Sequence, residues 1–269
     1  MFKTHSLLPE TQAVFNAMAG NELTEGFLLI GGTAMALHIA HRLSIDLDFV
    51  FCQSDGKLPT SRIDKLVMQL RNQGHKSTLI TDSAQTSAFA VNTGQRLSDY
   101  VRDYSVDGVK VTFFAASPSV KPRRYEFWRT CTRDFQAGCA FAVLSLDAMK
   151  VAKTLVLQDR VRSRDLFDLM VLMRDHGYTL EALFDTVARL ADDTQDGENE
   201  RLVLRGLIPL DARDEGLQAV GVTLPMLDIY AFFSTHLTAY EAAIHARHLL
   251  ASKTAKAATQ GATPPDAAG

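Results

Sequence analysis

Cysteine is scarce in this chain: only Cys52, Cys131 and Cys139 occur among 269 residues. An odd number without close pair spacing excludes a disulfide framework and fits buried thiols in a reducing compartment. Long apolar runs are also missing, so no segment is long enough to span a bilayer. The first residues, Met1-Phe-Lys-Thr-His-Ser, lack the apolar core of a secretory signal. The expectation is a cytoplasmic protein without membrane contact. Charge of one sign is not in excess either. With 28 Lys and Arg against 31 Asp and Glu, the formal net charge is −3, so contact with a polyanion has to come from a local basic patch. Histidine offers two one-turn pairs, His38/His41 and His245/His248, neither with a third ligand nearby, which argues against zinc. No internal repeat is present. A chain of this length buries enough surface to do without disulfides or a structural metal.

What is there is concentrated early. Phe27-Leu-Leu-Ile-Gly31-Gly32-Thr33-Ala-Met-Ala-Leu is followed by Ser44-Ile-Asp46-Leu-Asp48-Phe49. It reads as a short apolar strand, a tight two-glycine turn, a helix starting at Thr33, and a second strand carrying Asp46 and Asp48. Alternate strand residues share a face, so both carboxylates leave the sheet together while Leu47 and Phe49 turn inward. Free backbone amides at a turn and helix start favour phosphate. Hard Mg²⁺ prefers a few carboxylates plus substrate phosphate oxygens, and two such ions serve an attacking oxygen and a leaving pyrophosphate. The chemistry indicated is phosphoryl or nucleotidyl transfer. Asp-x-Asp also occurs in sugar-nucleotide glycosyltransferases, but those have several strand–helix units before the motif, and here one strand and two helices precede Asp46.

Periodicity predicts helices over 9–19 and 59–73, then paired strands over 75–81 and 87–92. Strands over 98–106 and 109–114 flank Asp107-Gly108, a hairpin signal. The chain to about residue 118 is therefore mixed. From 121 to 133, Lys121, Arg123, Arg124, Arg129 and Arg133 surround Tyr125, Phe127 and Trp128. This stretch fits an RNA-stacking patch and, equally, a linker with arginines laid over an inter-domain seam. Helices follow over 145–158, 163–176 and 179–190, then an acidic loop over 192–200 and a long helix over 225–250. The last residues, without large apolar side chains, read as disordered. The organisation is thus a mixed core at 1–118, a mainly helical domain at 119–250 and a tail at 251–269.

A second constellation lies in the helical part: Leu146-Asp-Ala-Met-Lys150-Val-Ala-Lys153, then Arg160-Val-Arg162-Ser-Arg164-Asp165-Leu-Phe-Asp168. Lys150 and Lys153 share a helix face and suit triphosphate oxygens. Asp165 and Asp168 share another, with Ser163 as a cap. Alone, the segment would fit a salt-bridged bundle surface.

These residues resemble the AbiEii/AbiGii-type toxin nucleotidyltransferases, a group similar to the DNA polymerase beta-like nucleotidyltransferase superfamily. The likeness rests on Gly31-Gly32-Thr33-Ala-x-Ala-Leu with His41-Arg42-x-Ser44-x-Asp46-x-Asp48-Phe49, and on Lys150 with Arg164-Asp165-Leu-Phe-Asp168-Leu. It implies an α+β fold, a nucleotidyltransferase-like mixed sheet with flanking helices followed by a C-terminal helical domain, with the nucleotide between them. It implies Mg²⁺-dependent transfer of a nucleoside monophosphate from an NTP to an acceptor, RNA such as a tRNA 3′ end, although some relatives are linked to GTP binding. It also implies the toxin of a toxin–antitoxin or phage-abortive system with a separate antitoxin partner. Carried over by position, Asp46 and Asp48 would bind one or two metal ions. Gly31, Gly32 and Thr33 would hold phosphate, Lys150 the triphosphate, and Asp165 would be a further catalytic acid. Arg42, Ser44, Lys153, Arg164 and Asp168 would support them. Two departures stand out: Thr112 occupies the strand position of a frequent third carboxylate, and Gly32 stands where many superfamily members carry serine. The first motivates an alternative, a nucleotide-binding pseudoenzyme or partner-binding protein. A further alternative is a nucleotidyltransferase acting on a protein or small molecule.

Overall fold

The fold is given by a computed structural model that describes residues 2–192 and 196–260, with the side chains of the last helix through Lys253. Helix α1 (Pro9–Ala19) leads into β1 (Leu28–Ile30), α2 (Gly31–Ile39) and β2 (Leu47–Cys52). After α3 (Thr60–Asn72) come β3 (Ser77–Ile80), α4 (Ser83–Thr93), β4 (Val101–Val106) and β5 (Val109–Ala116). Then α5 (Pro122–Thr130), β6 (Arg133–Asp134) and β7 (Ala142–Leu144) precede α6 (Leu146–Val156), α7 (Ser163–Asp175), α8 (Leu180–Leu190), α9 (Glu198–Leu204) and α10 (Met226–Gln260). The strands form one mixed sheet, ordered β3-β4-β5-β2-β1-β7-β6. The architecture is α+β, with helices following the sheet as expected.

The aspartate strand sits in the middle. β2 runs antiparallel to β1, opposing Ile30 to Asp48, and parallel to β5, opposing Asp48 to Thr112. Its alternation is as the sequence predicts: Leu47 and Phe49 are fully buried, whereas Asp48 stays partly exposed on the opposite face. Asp46 lies one residue ahead of the strand. Behind it Phe49 stacks on Phe113 with centroids 5.5 Å apart, and Phe27 and Phe141 pack edge-on against Phe49. Such rings bury large area in fixed geometry, so the strand has little freedom to shift the acids it carries.

Several expectations change. Residues 87–92 are not a strand but part of α4, capped by Asp82, whose carboxylate accepts from the Gln85 amide at 3.0 Å, and ended by Gly94 at φ +68. No residue of α4 is buried, so it has no core-facing stripe and leaves no helical period in the sequence. β3 pairs instead with β4. The sheet also continues past residue 118: β7, three buried residues without alternation, lies parallel to β1. One continuous apolar core runs from Leu7 to Leu237. α9 occupies the end of the expected acidic loop. α10 buries Ile229, Phe233 and Leu237 along one stripe and extends to Gln260, past the expected end near 250. The rest of the expected tail, 261–269, lies outside the described residues. Among the described residues no helix is long and apolar enough to cross a membrane.

The basic-aromatic stretch forms α5 at the seam. Arg124 is buried and its guanidinium binds Asp159 and Gln158, Lys121 binds Asp159 at 2.5 Å, and Arg129 pairs with Glu126. Tyr125, Phe127 and Trp128 pack onto the core. These cations and rings already have protein partners, which favours the seam over an RNA-stacking patch.

Candidate active site

Gly31 opens α2 rather than lying ahead of it, with φ +73, a conformation that favours glycine. A Cβ there would stand 3.0 Å from Oδ2 of Asp48, so the turn and the acid are in close apposition. No side chain caps α2. Its first amides are left for an anion, and the helix dipole adds to their positive end.

Gly32 has a different reason to be glycine. A Cβ on it would overlap Nη2 of Arg42 and lie 3.1 Å from Cζ. Arg42 cannot yield easily, because its Nε and Nη2 donate to Oδ1 and Oδ2 of Asp168 at 2.6 and 2.9 Å, and it is only 9% exposed. Serine is thus excluded by the guanidinium lying across the turn. Thr33 does not offer its hydroxyl to phosphate as the sequence suggests. The group is buried against the Ser44 hydroxyl at 2.7 Å and hydrogen-bonds the Asp46 carbonyl, tying the helix start to the segment that carries the acid.

Asp46 and Asp48 share a cleft with Gly32, Thr33, Arg42 and Ser44. Burial, then repulsion from Asp48, pushes the Asp46 carboxyl above the usual carboxylate range, while Arg164 opposes. Burial raises Asp48 as well, against Arg160, Lys110 and the Thr112 hydroxyl. Among the described residues no group of three or more His, Cys, Asp or Glu is arranged to hold a metal alone. Two crowded carboxylates on an open cleft nevertheless fit a Mg²⁺ ion whose other ligands are substrate oxygens and water.

The opposite wall comes from α6, α7 and the chain between them. Here the structure exchanges the two lysines. Lys150 donates to Asp147 at 2.8 Å and does not line the cleft. Lys153, one turn on, is 3% exposed and lines it, its Nζ 2.8 Å from Oδ1 of Asp165 and 2.6 Å from Oδ2 of Asp168. Both lysines are at helical spacing, and only the depth of packing distinguishes them. Asp165 also accepts from Nε of Arg160 at 2.8 Å. Burial would raise its carboxyl, but Lys153 and Arg160 hold it down to about 2. A carboxylate so stabilised anchors cations; as a general base it is weak. Asp168 is fully buried and held well below its ordinary value by Arg42, Lys153 and His41, against its own burial. His41 donates from Nε2 to Oδ1 of Asp168 at 2.8 Å, since the ionised carboxylate can only accept. Ser163 does not cap α7; its amide and hydroxyl both donate to Asp214, at 3.1 and 3.0 Å.

Arg160, Arg162 and Arg164 line the cleft together with Lys110 of β5. The alternating arginines were a readable signal, of which the sequence reading took up only Arg164. Lys110, a single lysine in a hairpin strand, gave none. Six cationic side chains line the cleft beside three carboxylates, and they also pair with Asp168, Asp103, Asp211 and Glu215 just outside the lining, so the wall is a dense ion-pair network rather than a net positive patch.

Three outcomes follow from this geometry. Gly32→Ser forces Arg42 off Asp168 and lowers stability by about 3 kcal/mol, as expected for a broken buried pair; an unchanged denaturation midpoint would remove the steric argument. Lys153→Met weakens nucleoside triphosphate binding at least about tenfold, whereas Lys150→Ala leaves it near wild type by calorimetry, and the reverse ranking would restore Lys150 to the site. Because the folded Asp165 carboxyl is depressed, its stabilising contribution of about 2 kcal/mol is complete above the unfolded value near 3.8 and lost as pH falls toward 2. The stability advantage of wild type over Asp165→Asn, measured by denaturant titration, therefore shrinks across that window.

Residues 13–244 match the family described as nucleotidyl transferase AbiEii toxin, type IV TA system. No curated protein matches the chain. Similar solved structures include JHP933 from Helicobacter pylori, at 17% identity and TM-score 0.44, covering 89% of this chain and 95% of that one. Another is MenT4, the nucleotidyltransferase toxin Rv2826c from Mycobacterium tuberculosis H37Rv, at 15% identity and TM-score 0.46, covering 83% and 80%. The family match takes in both halves of the cleft, from the glycine turn to the anchoring aspartates, and the chain belongs to the AbiEii family of nucleotidyltransferase toxins.

Proposed function

We propose that this nucleotidyltransferase transfers a nucleoside monophosphate from an NTP to the 3′ end of an RNA such as tRNA, with Mg²⁺ held by Asp46 and Asp48. The observation that carries the reading is the convergence of an uncapped helix start, two crowded carboxylates and a wall of arginine and lysine side chains on one cleft. The α2 amides and Lys153 would receive the triphosphate, with Arg160 at their side. Bound Mg²⁺ would supply charge neutralisation on the phosphates and activation of the attacking oxygen. In the transfer the acceptor oxygen bonds the α-phosphorus, the bond to the bridging oxygen breaks with its electron pair leaving on pyrophosphate, and the hydroxyl proton passes to water. Positioning and charge stabilisation carry the rate. With Asp165 locked between Lys153 and Arg160, its part is to fix those cations.

Family membership speaks against the binding-only alternative drawn from Thr112. A cognate antitoxin and a cytoplasmic location complete the proposal.

The test is transfer of α-labelled nucleotides, each base separately, to total tRNA with Mg²⁺, beside Asp46→Asn. RNA becomes labelled, and the variant, folded by circular dichroism, loses at least about a hundredfold of the rate. Label on protein or a small molecule instead would replace the acceptor. A folded Asp46→Asn enzyme of wild-type rate would remove the metal site.

A further inference from the structure

The strand order divides the cleft into two sides. β1 and the start of α2 lie on one side of β2, and β5 and β4 lie on the other. Lys110 belongs to that second side. It is two residues before Thr112 on β5, and Thr112 pairs directly with Asp48, so Lys110, Thr112 and Asp48 share a face. Its side chain is about half exposed, lines the same cleft, and its charge bears on both Asp46 and Asp48. Asp103 of β4, opposite Thr112 in the register, holds the lysine at 3.0 Å through Oδ2. The other oxygen of Asp103 is buried without a partner, so this carboxylate is committed to its lysine.

In-line displacement puts the attacking oxygen and the leaving pyrophosphate on opposite sides of the α-phosphorus. The pyrophosphate side is fixed, on the reading above, by the α2 amides, Lys153 and Arg160. The acceptor then enters over β5 and β4. There the sheet face runs from Asp48 across Thr112 and Asp103 to Ile80, which is 46% exposed at the edge strand. Among the described cleft residues, Lys110 is the cation contributed by that floor.

We infer that Lys110, oriented by Asp103, binds the backbone phosphate next to the attacking 3′ hydroxyl of the RNA acceptor, and that the face of β5 and β4 is the acceptor's floor. The inference rests on nucleotidyl transfer to RNA and adds to it which wall reads the acceptor. Lys153 and Lys110 then have separable roles, one toward the NTP and one toward the RNA.

The experiment is steady-state transfer to a tRNA transcript by the full-length wild type, Lys110→Ala, Lys110→Arg and Asp103→Asn, varying RNA and NTP independently and repeating the RNA series over salt. Lys110→Ala raises the KM for RNA about tenfold, with a much smaller change in the KM for NTP. It also reduces the slope of log KM against log salt by about 0.7, the amount for one phosphate contact on a single strand. Lys110→Arg restores most of the loss, and Asp103→Asn shifts RNA KM in the same direction by less. If wild type labels RNA but Lys110→Ala keeps its RNA KM and salt slope, or loses NTP affinity instead, the inference is overturned and the function stands. If wild type labels no RNA, or labels protein, both fall.

Discussion

The buried carboxylate of Asp168 is the constraint on which the rest of the site depends. An isolated charge without exposure would be prohibitive, and this one is met by Arg42 on both oxygens, by Lys153 and by His41. Its partners come from the segment ahead of β2 and from α6, while Asp168 itself sits on α7. The ion cluster therefore locks the sheet half to the helical half at the point where the nucleotide cleft opens. Arg42 is drawn across the glycine turn by this cluster, and so Gly32 has to lack a side chain. The serine of other superfamily members and the Arg42–Asp168 pair are mutually exclusive in this geometry.

The four aspartates divide into two electrostatic kinds. Asp165 and Asp168 have their cations in place, and their carboxyls are lowered. Asp46 and Asp48 are raised by burial, with Asp46 further raised by its neighbour. Carboxylates that are neither fully paired nor allowed to separate are where an additional cation lowers the energy most. The contrast separates acids whose cations are already in place from acids that burial leaves short of one, a distinction that spacing alone does not make.

Much of this was legible in the sequence, and the boundary of legibility has physical causes. The alternation around Asp46 and Asp48, the Asp107-Gly108 hairpin and the helices of the second half follow from local periodicity, and each appears in the fold. α4 was misread because it buries nothing, and β7 was invisible because three buried residues have no period. The position of Lys150 outside the cleft lining has a subtler reason. Lys150 and Lys153 differ by three positions on one helix, and which one points into the cleft depends on the packing of α6 against its neighbours. Long-range pairing also decided the Thr33 hydroxyl, which turned toward Ser44 and Asp46, and the partnership of Asp103 with Lys110, residues that meet only through a strand register.

Thr112 illustrates how a missing group can be read in context. With threonine opposite Asp48, β5 bears no acid, and the first charged groups beyond it are Lys110 and Asp103, already neutralising each other. An acid at Thr112 would add negative charge beside two carboxylates whose ionisation is already opposed by burial. Threonine instead leaves a hydroxyl that favours the ionised form of Asp48. The sheet side of the cleft is therefore less negative than a three-acid site would be. On the proposed reading, a phosphate-bearing strand approaching over β5 meets Lys110, held by Asp103, and the Thr112 hydroxyl beside Asp48, and a floor without a third acid repels such a strand less than a three-acid site would.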